Sequence, residues 1–117
     1  MLYLSVILFA LAAMGGMTLV TLKYMGKEMP LFLSIGHGVI AAAGLVVLIL
    51  NVRANTGNVL MNVSLALFLA AALGGFANFY LHHARKNISD KLITLHGLAA
   101  LTAFVLLAVS VFGRGGL

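Results

Sequence analysis

Along this chain the apolar positions neither alternate nor form a stripe. They run almost unbroken and are interrupted at three places by short polar stretches. The runs extend from Leu2 to Leu22, Leu31 to Leu50, Val59 to Leu81 and Lys91 to Phe112. Each approaches the roughly 20 residues that an α-helix needs to cross a hydrocarbon layer of about 30 Å. Lipid offers no partner to backbone N–H and C=O groups, so a helix, which satisfies its own backbone, is the expected spanning form. The interruptions read as turns. "KYMGKEMP" supplies Gly26 as a helix stop and Pro30 at a first helical position. "NVRANTGN" is a turn rich in Asn and Gly, and "HHARKNISD" ends in Ser89 and Asp90, either of which suits the cap of a fourth helix. The expected fold is all-α, an integral membrane four-helix bundle running up-down-up-down, with residues 1–117 forming a single transmembrane domain. No lysine or arginine precedes the first run and no cleavage site follows it, so that run is read as a helix of the bundle.

Composition settles the medium and removes several chemistries. With 63% hydrophobic and 8% charged residues in 117, the chain has more apolar surface than a soluble domain could bury. Cysteine is absent, which excludes disulfides and thiolate ligands. The two carboxylates, Glu28 and Asp90, both fall in turns, leaving no intramembrane acid/base pair. No phosphate loop, nucleotide fingerprint or nucleophile elbow occurs. Any chemistry must therefore come from a cofactor.

The net charge of +5 is mainly a topology signal. Lys23, Lys27, Arg85, Lys86 and Lys91 lie in the first and third connectors, whereas Arg53 and Arg114 lie on the other side. By the positive-inside rule the first and third connectors face the cytoplasm and both termini face out of an inner (cytoplasmic) membrane. A nucleic-acid partner is not expected, because no folded surface presents the basic residues.

Shifting the chain by 59 positions superposes its halves without a gap. Phe9 meets Phe68, Ala12-Ala13 meets Ala71-Ala72, Gly15-Gly16 meets Gly74-Gly75, Lys27 meets Lys86, and His37-Gly38 meets His96-Gly97. Leucine and alanine matches carry little information here, but paired glycines and His-Gly in one register carry more. The reading is a duplicated helical hairpin, with units of approximately 1–58 and 59–117, related as a parallel repeat about an axis along the membrane normal.

The two histidines then acquire a common depth. Gly15-Gly16 and His37 each lie about eleven residues from the first turn along their own helices, and the second hairpin repeats the arrangement. In an up-down-up-down bundle, helices two and four are diagonal partners, which places His37 opposite His96 across the core. The glycine pairs remove side-chain volume at the same level. Small residues continue beyond each histidine, Ala41 and Gly44 in one copy and Ala100 and Ala103 in the other, which describes a slot. Two neutral imidazoles facing across an apolar slot suit the axial positions of a haem iron. The expected ligands are His37 and His96. Gly15, Gly16, Gly74 and Gly75 are expected to admit the macrocycle, and Lys23, Arg85 and Lys86 to meet its propionates. The second imidazole nitrogen is expected to bond to a carbonyl one turn back, with Ser34 as an additional partner near His37.

With these residues the chain resembles the helical membrane b-type cytochromes, in which haem lies between histidines on diagonal helices of a four-helix bundle. The resemblance is architectural, and covers the four spans with His37, His96, Gly15, Gly16, Gly74 and Gly75. It implies haem b as cofactor and single-electron transfer as the role, with one haem at most, or one within each chain of an oligomer, since the outer half has no histidine. The chain would serve as a subunit near the cytoplasmic face and not as a stand-alone enzyme. Its expected partners are other membrane subunits or further copies of the chain, and a quinone.

Two other readings stand beside this one. In the first, a cofactor-free scaffold or accessory subunit, the histidines bond helix to helix. In the second, a metal or small-solute transporter, Met14, Met17, Met25 and Met29 around the first turn offer copper(I) ligands, although the second copy lacks them. His82 and His83 are read as interfacial residues, with propionate contact or haem ligation as the alternative. Asn78, one turn before His82, is placed to bond to it.

Overall fold

A computed structural model describes residues 2–83 and 90–113. Four helices follow one another, α1 Leu2–Tyr24, α2 Leu31–Ala54, α3 Val59–His83 and α4 Asp90–Ala108, and the chain continues from α4 into a π-helical turn, Val109–Gly113. No strand occurs among the described residues. All four helices are long and apolar enough to cross a membrane, so the molecule is a multi-pass helical membrane protein. α1 packs on α2, α3 on α4, α2 on α3 and α1 on α4, closing a bundle of 47 × 19 × 19 Å. α2 and α4 are thus diagonal, as are α1 and α3.

Local chemistry explains the ends of these helices. α1 stops at Gly26, whose φ of 74° lies in the left-handed region where a Cβ is penalised. Gly26 N–H donates to the Lys23 carbonyl at 3.0 Å and Lys27 N–H to the Leu22 carbonyl at 2.9 Å, the paired bonds of a Schellman stop. Pro30 caps α2 in an extended conformation rather than occupying its first helical turn, and its carbonyl receives the N–H groups of Leu33 and Ser34 at 3.2 Å. Asn58 caps α3 by accepting the Met61 N–H at 3.1 Å. The turn expected from Asn51 begins later, because α2 runs on to Ala54. Asn51 is instead a buried helical residue whose amide donates to Ser5 Oγ at 3.3 Å.

Among the described residues burial is confined to one end of the bundle. On α1 it runs from Ser5 to Ala12, on α2 from Gly44 to Asn51, on α3 from Met61 to Ala71, and at the end of the chain from Ala103 to Val111. These segments share the end that holds the start of α1, the α2–α3 loop and the end of α4. Lipid supplies no hydrophobic drive for helices to associate, so this end coheres through close packing and polar contacts. Phe9 and Phe68 stack at 3.8 Å and 4° on the bundle axis. Gly44 gives Phe9 its room, since a Cβ there would lie 3.1 Å from the ring. Ser64 Oγ donates to the Ala103 carbonyl at 2.7 Å. Toward the α1–α2 turn and the start of α4 no described residue is buried.

Candidate functional site

His37 on α2 and His96 on α4 sit where the buried end gives way to half-buried and exposed positions. Their carbonyl partners, Ala12 and Ala71, belong to the last buried layer of α1 and α3. His37 Nδ1 lies 2.7 Å from the Ala12 carbonyl oxygen, and His96 Nδ1 lies 2.7 Å from that of Ala71. A carbonyl can only accept, so each Nδ1 carries the hydrogen and donates, leaving Nε2 with its lone pair. The partner is thus a carbonyl of the neighbouring helix, and not one a turn back on the histidine's own helix. Nor does Ser34 serve, because the one N–H that a neutral ring carries is already given to the carbonyl across the helix pair.

The glycine pairs explain how an imidazole can reach across. A Cβ on Gly15 would meet His37 Cβ at 3.6 Å, and one on Gly16 would meet His37 Cε1 at 3.1 Å. In the second hairpin Gly74 would meet His96 Cβ at 3.6 Å, and Gly75 would meet His96 Cε1 at 3.0 Å. The glycines make room for the imidazole itself and seat it on the neighbouring helix, a service that the expectation of a macrocycle edge at these positions did not include.

The two rings approach each other across the diagonal, with centres 6.2 Å apart and planes at 85°. Residues 59 positions apart make matching contacts: the two histidine–carbonyl bonds, the two glycine seats and the Phe9–Phe68 stack. The slot expected along Ala41, Gly44, Ala100 and Ala103 is filled at the level of Gly44 and Ala103, where the phenylalanine stack forms a floor. Those positions are seven residues beyond the histidines, about 10 Å along the helix.

Toward the hairpin turns no described residue is buried as a whole. Lys23 is half-buried near the end of α1. Arg85 and Lys86 lie outside the described residues, as do the side chains of His82 and His83. Asn78 does not make the bond expected of it through Oδ1, which is buried and has no hydrogen-bond partner. Among the described residues no group of three or more His, Cys, Asp or Glu is placed to hold a metal ion. Sequence reasoning missed the Ala12 and Ala71 carbonyls and the phenylalanine floor, although both pairs stand out in the 59-residue register. In comparisons with known proteins, no family model, curated protein or solved structure matches this chain.

Proposed function

We propose that this chain is a small membrane b-type haem protein that carries single electrons near its hairpin-turn end, as a subunit of a larger redox assembly. The His37–His96 pair carries the reading. Metal–nitrogen bonds of about 2 Å, with each nitrogen about 1 Å from its ring centre, place two opposed imidazole centres roughly 6 Å apart. The separation here is 6.2 Å, with each ring held by its other nitrogen. Two imidazoles alone are a poor cage for most metal ions, whereas a tetrapyrrole brings four nitrogens of its own. Glycine at 15, 16, 74 and 75 keeps side-chain volume out of the histidine layer.

Bound haem supplies a one-electron couple. The remaining work belongs to the chain. The Ala12 and Ala71 carbonyls fix the tautomer and make each Nε2 a better donor. Gly16 and Gly75 hold the rings in place by steric fit. The Phe9–Phe68 stack closes the apolar floor, and Lys23, Arg85 and Lys86 neutralise propionates at the other end. By the positive-inside rule that end faces the cytoplasm, with both termini outside an inner membrane. A quinone or an adjoining redox subunit is the exchange partner. The matching contacts in the two halves support a duplicated hairpin, units 1–58 and 59–117, as the origin of the site.

The same hydrogen bonds favour one competing reading, a cofactor-free scaffold. Each ties two helices together in lipid, and such a bond contributes about 0.6 kcal/mol. Purification from haem-replete cells decides between them. The haem reading expects a Soret band and a sharp reduced-minus-oxidised α band at one haem per chain, both lost in His37→Ala and in His96→Ala. A folded, colourless protein selects the scaffold, and stoichiometric copper without these bands selects ion handling.

A further inference from the structure

The two imidazoles are crossed as well as opposed. Their planes stand at 85°, close to a right angle, with centres 6.2 Å apart. Matching contacts in the two halves account for the angle. Each ring meets the same set of neighbours, so each leans equally from the axis that relates the hairpins, and about the line joining the rings the two lean in opposite senses. The angle between them is twice the lean of either one.

That lean is held at two atoms. An imidazole whose Cβ is fixed on its helix keeps one easy rotation, about the Cβ–Cγ bond. Nδ1 and Cε1 both lie to one side of that bond. The carbonyls of Ala12 and Ala71 accept the Nδ1 hydrogens at 2.7 Å, and a hydrogen bond at this nitrogen fixes how a ligating ring is turned. A Cβ at Gly16 would stand 3.1 Å from Cε1 of His37, and one at Gly75 3.0 Å from Cε1 of His96, so the lack of a side chain is what lets each ring lie at this angle. Gly97, beside His96, has no such part, because a Cβ there would meet nothing within 4 Å.

The angle matters to an iron held between the rings. Besides its lone pair, an imidazole nitrogen has a π orbital at right angles to the ring plane, which overlaps one of a pair of iron d orbitals. Parallel rings load the same orbital and split the pair. Crossed rings load both alike. The unpaired electron of a low-spin ferric ion then has two nearly equal orbitals to occupy, and the ion forgoes the stabilisation that splitting would bring, which favours the ferrous form by comparison.

We propose that Gly16 and Gly75 are positioning residues that, with the Ala12 and Ala71 carbonyls, keep the axial rings crossed and so set the electronic state of the iron through ligand orientation. This rests on the haem reading. The test is low-temperature electron paramagnetic resonance of the oxidised full chain in detergent, loaded with saturating haem, for the wild type, Gly75→Ala, Gly16→Ala and Gly97→Ala. The wild type and Gly97→Ala are expected to give one strongly anisotropic low-field feature, the signature of a nearly degenerate pair. Turning one ring out of square splits the pair, so Gly75→Ala and Gly16→Ala are expected to shift that feature upfield, toward a rhombic signal with three resolved components, at an unchanged Soret position. A rhombic wild type would overturn the crossed arrangement. An unshifted feature in both seat variants, or an equal shift in Gly97→Ala, would overturn the role of the glycines, and a high-spin signal in both seat variants would assign them to holding the bond and not its angle. A wild type that binds no haem defeats the haem reading itself and is distinguishable from each of these.

Discussion

The two ends of this bundle are built from the same repeated helices yet pack in opposite ways. From Ser5 to Ala12 and from Met61 to Ala71, together with Gly44 to Asn51 and Ala103 to Val111, side chains interlock around the Phe9–Phe68 stack. On the other side of the histidines no described residue of the same four helices is buried as a whole. Close packing and a few polar bonds are the main forces that hold membrane helices together. One end therefore holds the bundle, while the described side chains of the other are at most half-buried. The histidines stand at the boundary, with Nδ1 tied to a carbonyl of the packed layer.

Substitutions on either side of that boundary should therefore fail differently. The largest effect belongs to the proposed ligands. His37→Ala or His96→Ala is expected to lower haem affinity by more than about 100-fold, beyond what loss of an outer partner costs, while folded yield changes little. Spectral titration beside size-exclusion recovery reads both, and retained haem in both variants would dissolve the boundary.

Next is the seat of the ring. A Cβ at Gly75 would stand 3.0 Å from His96 Cε1, so Gly75→Ala must displace the imidazole. Its haem affinity is expected to fall about 10-fold or more, in the range seen when a metal ligand loses its orienting support, with the unfolding midpoint nearly unchanged. Gly44→Ala makes the contrasting case, because its Cβ would press on Phe9 at 3.1 Å. That change should cost about 1–3 kcal/mol of stability by overpacking, and haem affinity should hold. Exchange of these two phenotypes would reverse the comparison.

Phe68→Ala sharpens the picture of the packed end. In water-soluble cores such a truncation costs about 3–5 kcal/mol, but here lipid already solvates the ring once the helices part, so about 2 kcal/mol is expected. Equilibrium unfolding in mixed micelles measures it. Smallest is Ser64→Ala, which removes the hydrogen bond to the Ala103 carbonyl. About 0.6 kcal/mol is expected in the same assay, and a loss several times larger would mean that polar bonds rather than packing hold this end.

Legibility differed between the fold and the site. The four spans were plain because a helix in lipid is set by length and apolarity, both local. Helix ends were nearly as plain where one residue decides them, as at Gly26. Asn51 was misplaced into a turn because its polarity suggested solvent, when a neighbouring helix offered Ser5. The histidine layer could be reached through the 59-residue register alone. What lay beyond reach was which group each glycine faces and which carbonyl each imidazole meets. Those depend on how every helix is rotated about its own axis, and helices that are apolar all round carry no stripe to reveal it.

The amino-acid order by itself determined the number of crossings, their limits to within a few residues, the repeat, and the equal height of His37 and His96. These follow from helical rise and from the backbone's need for partners inside lipid, and no contact between helices enters them. Only the tertiary structure decided that the imidazoles bond across to Ala12 and Ala71, that the glycines seat the rings, and that phenylalanines close the floor. Each of these is a relation between helices, and in a bilayer such relations are chosen by packing fit and by a few polar groups.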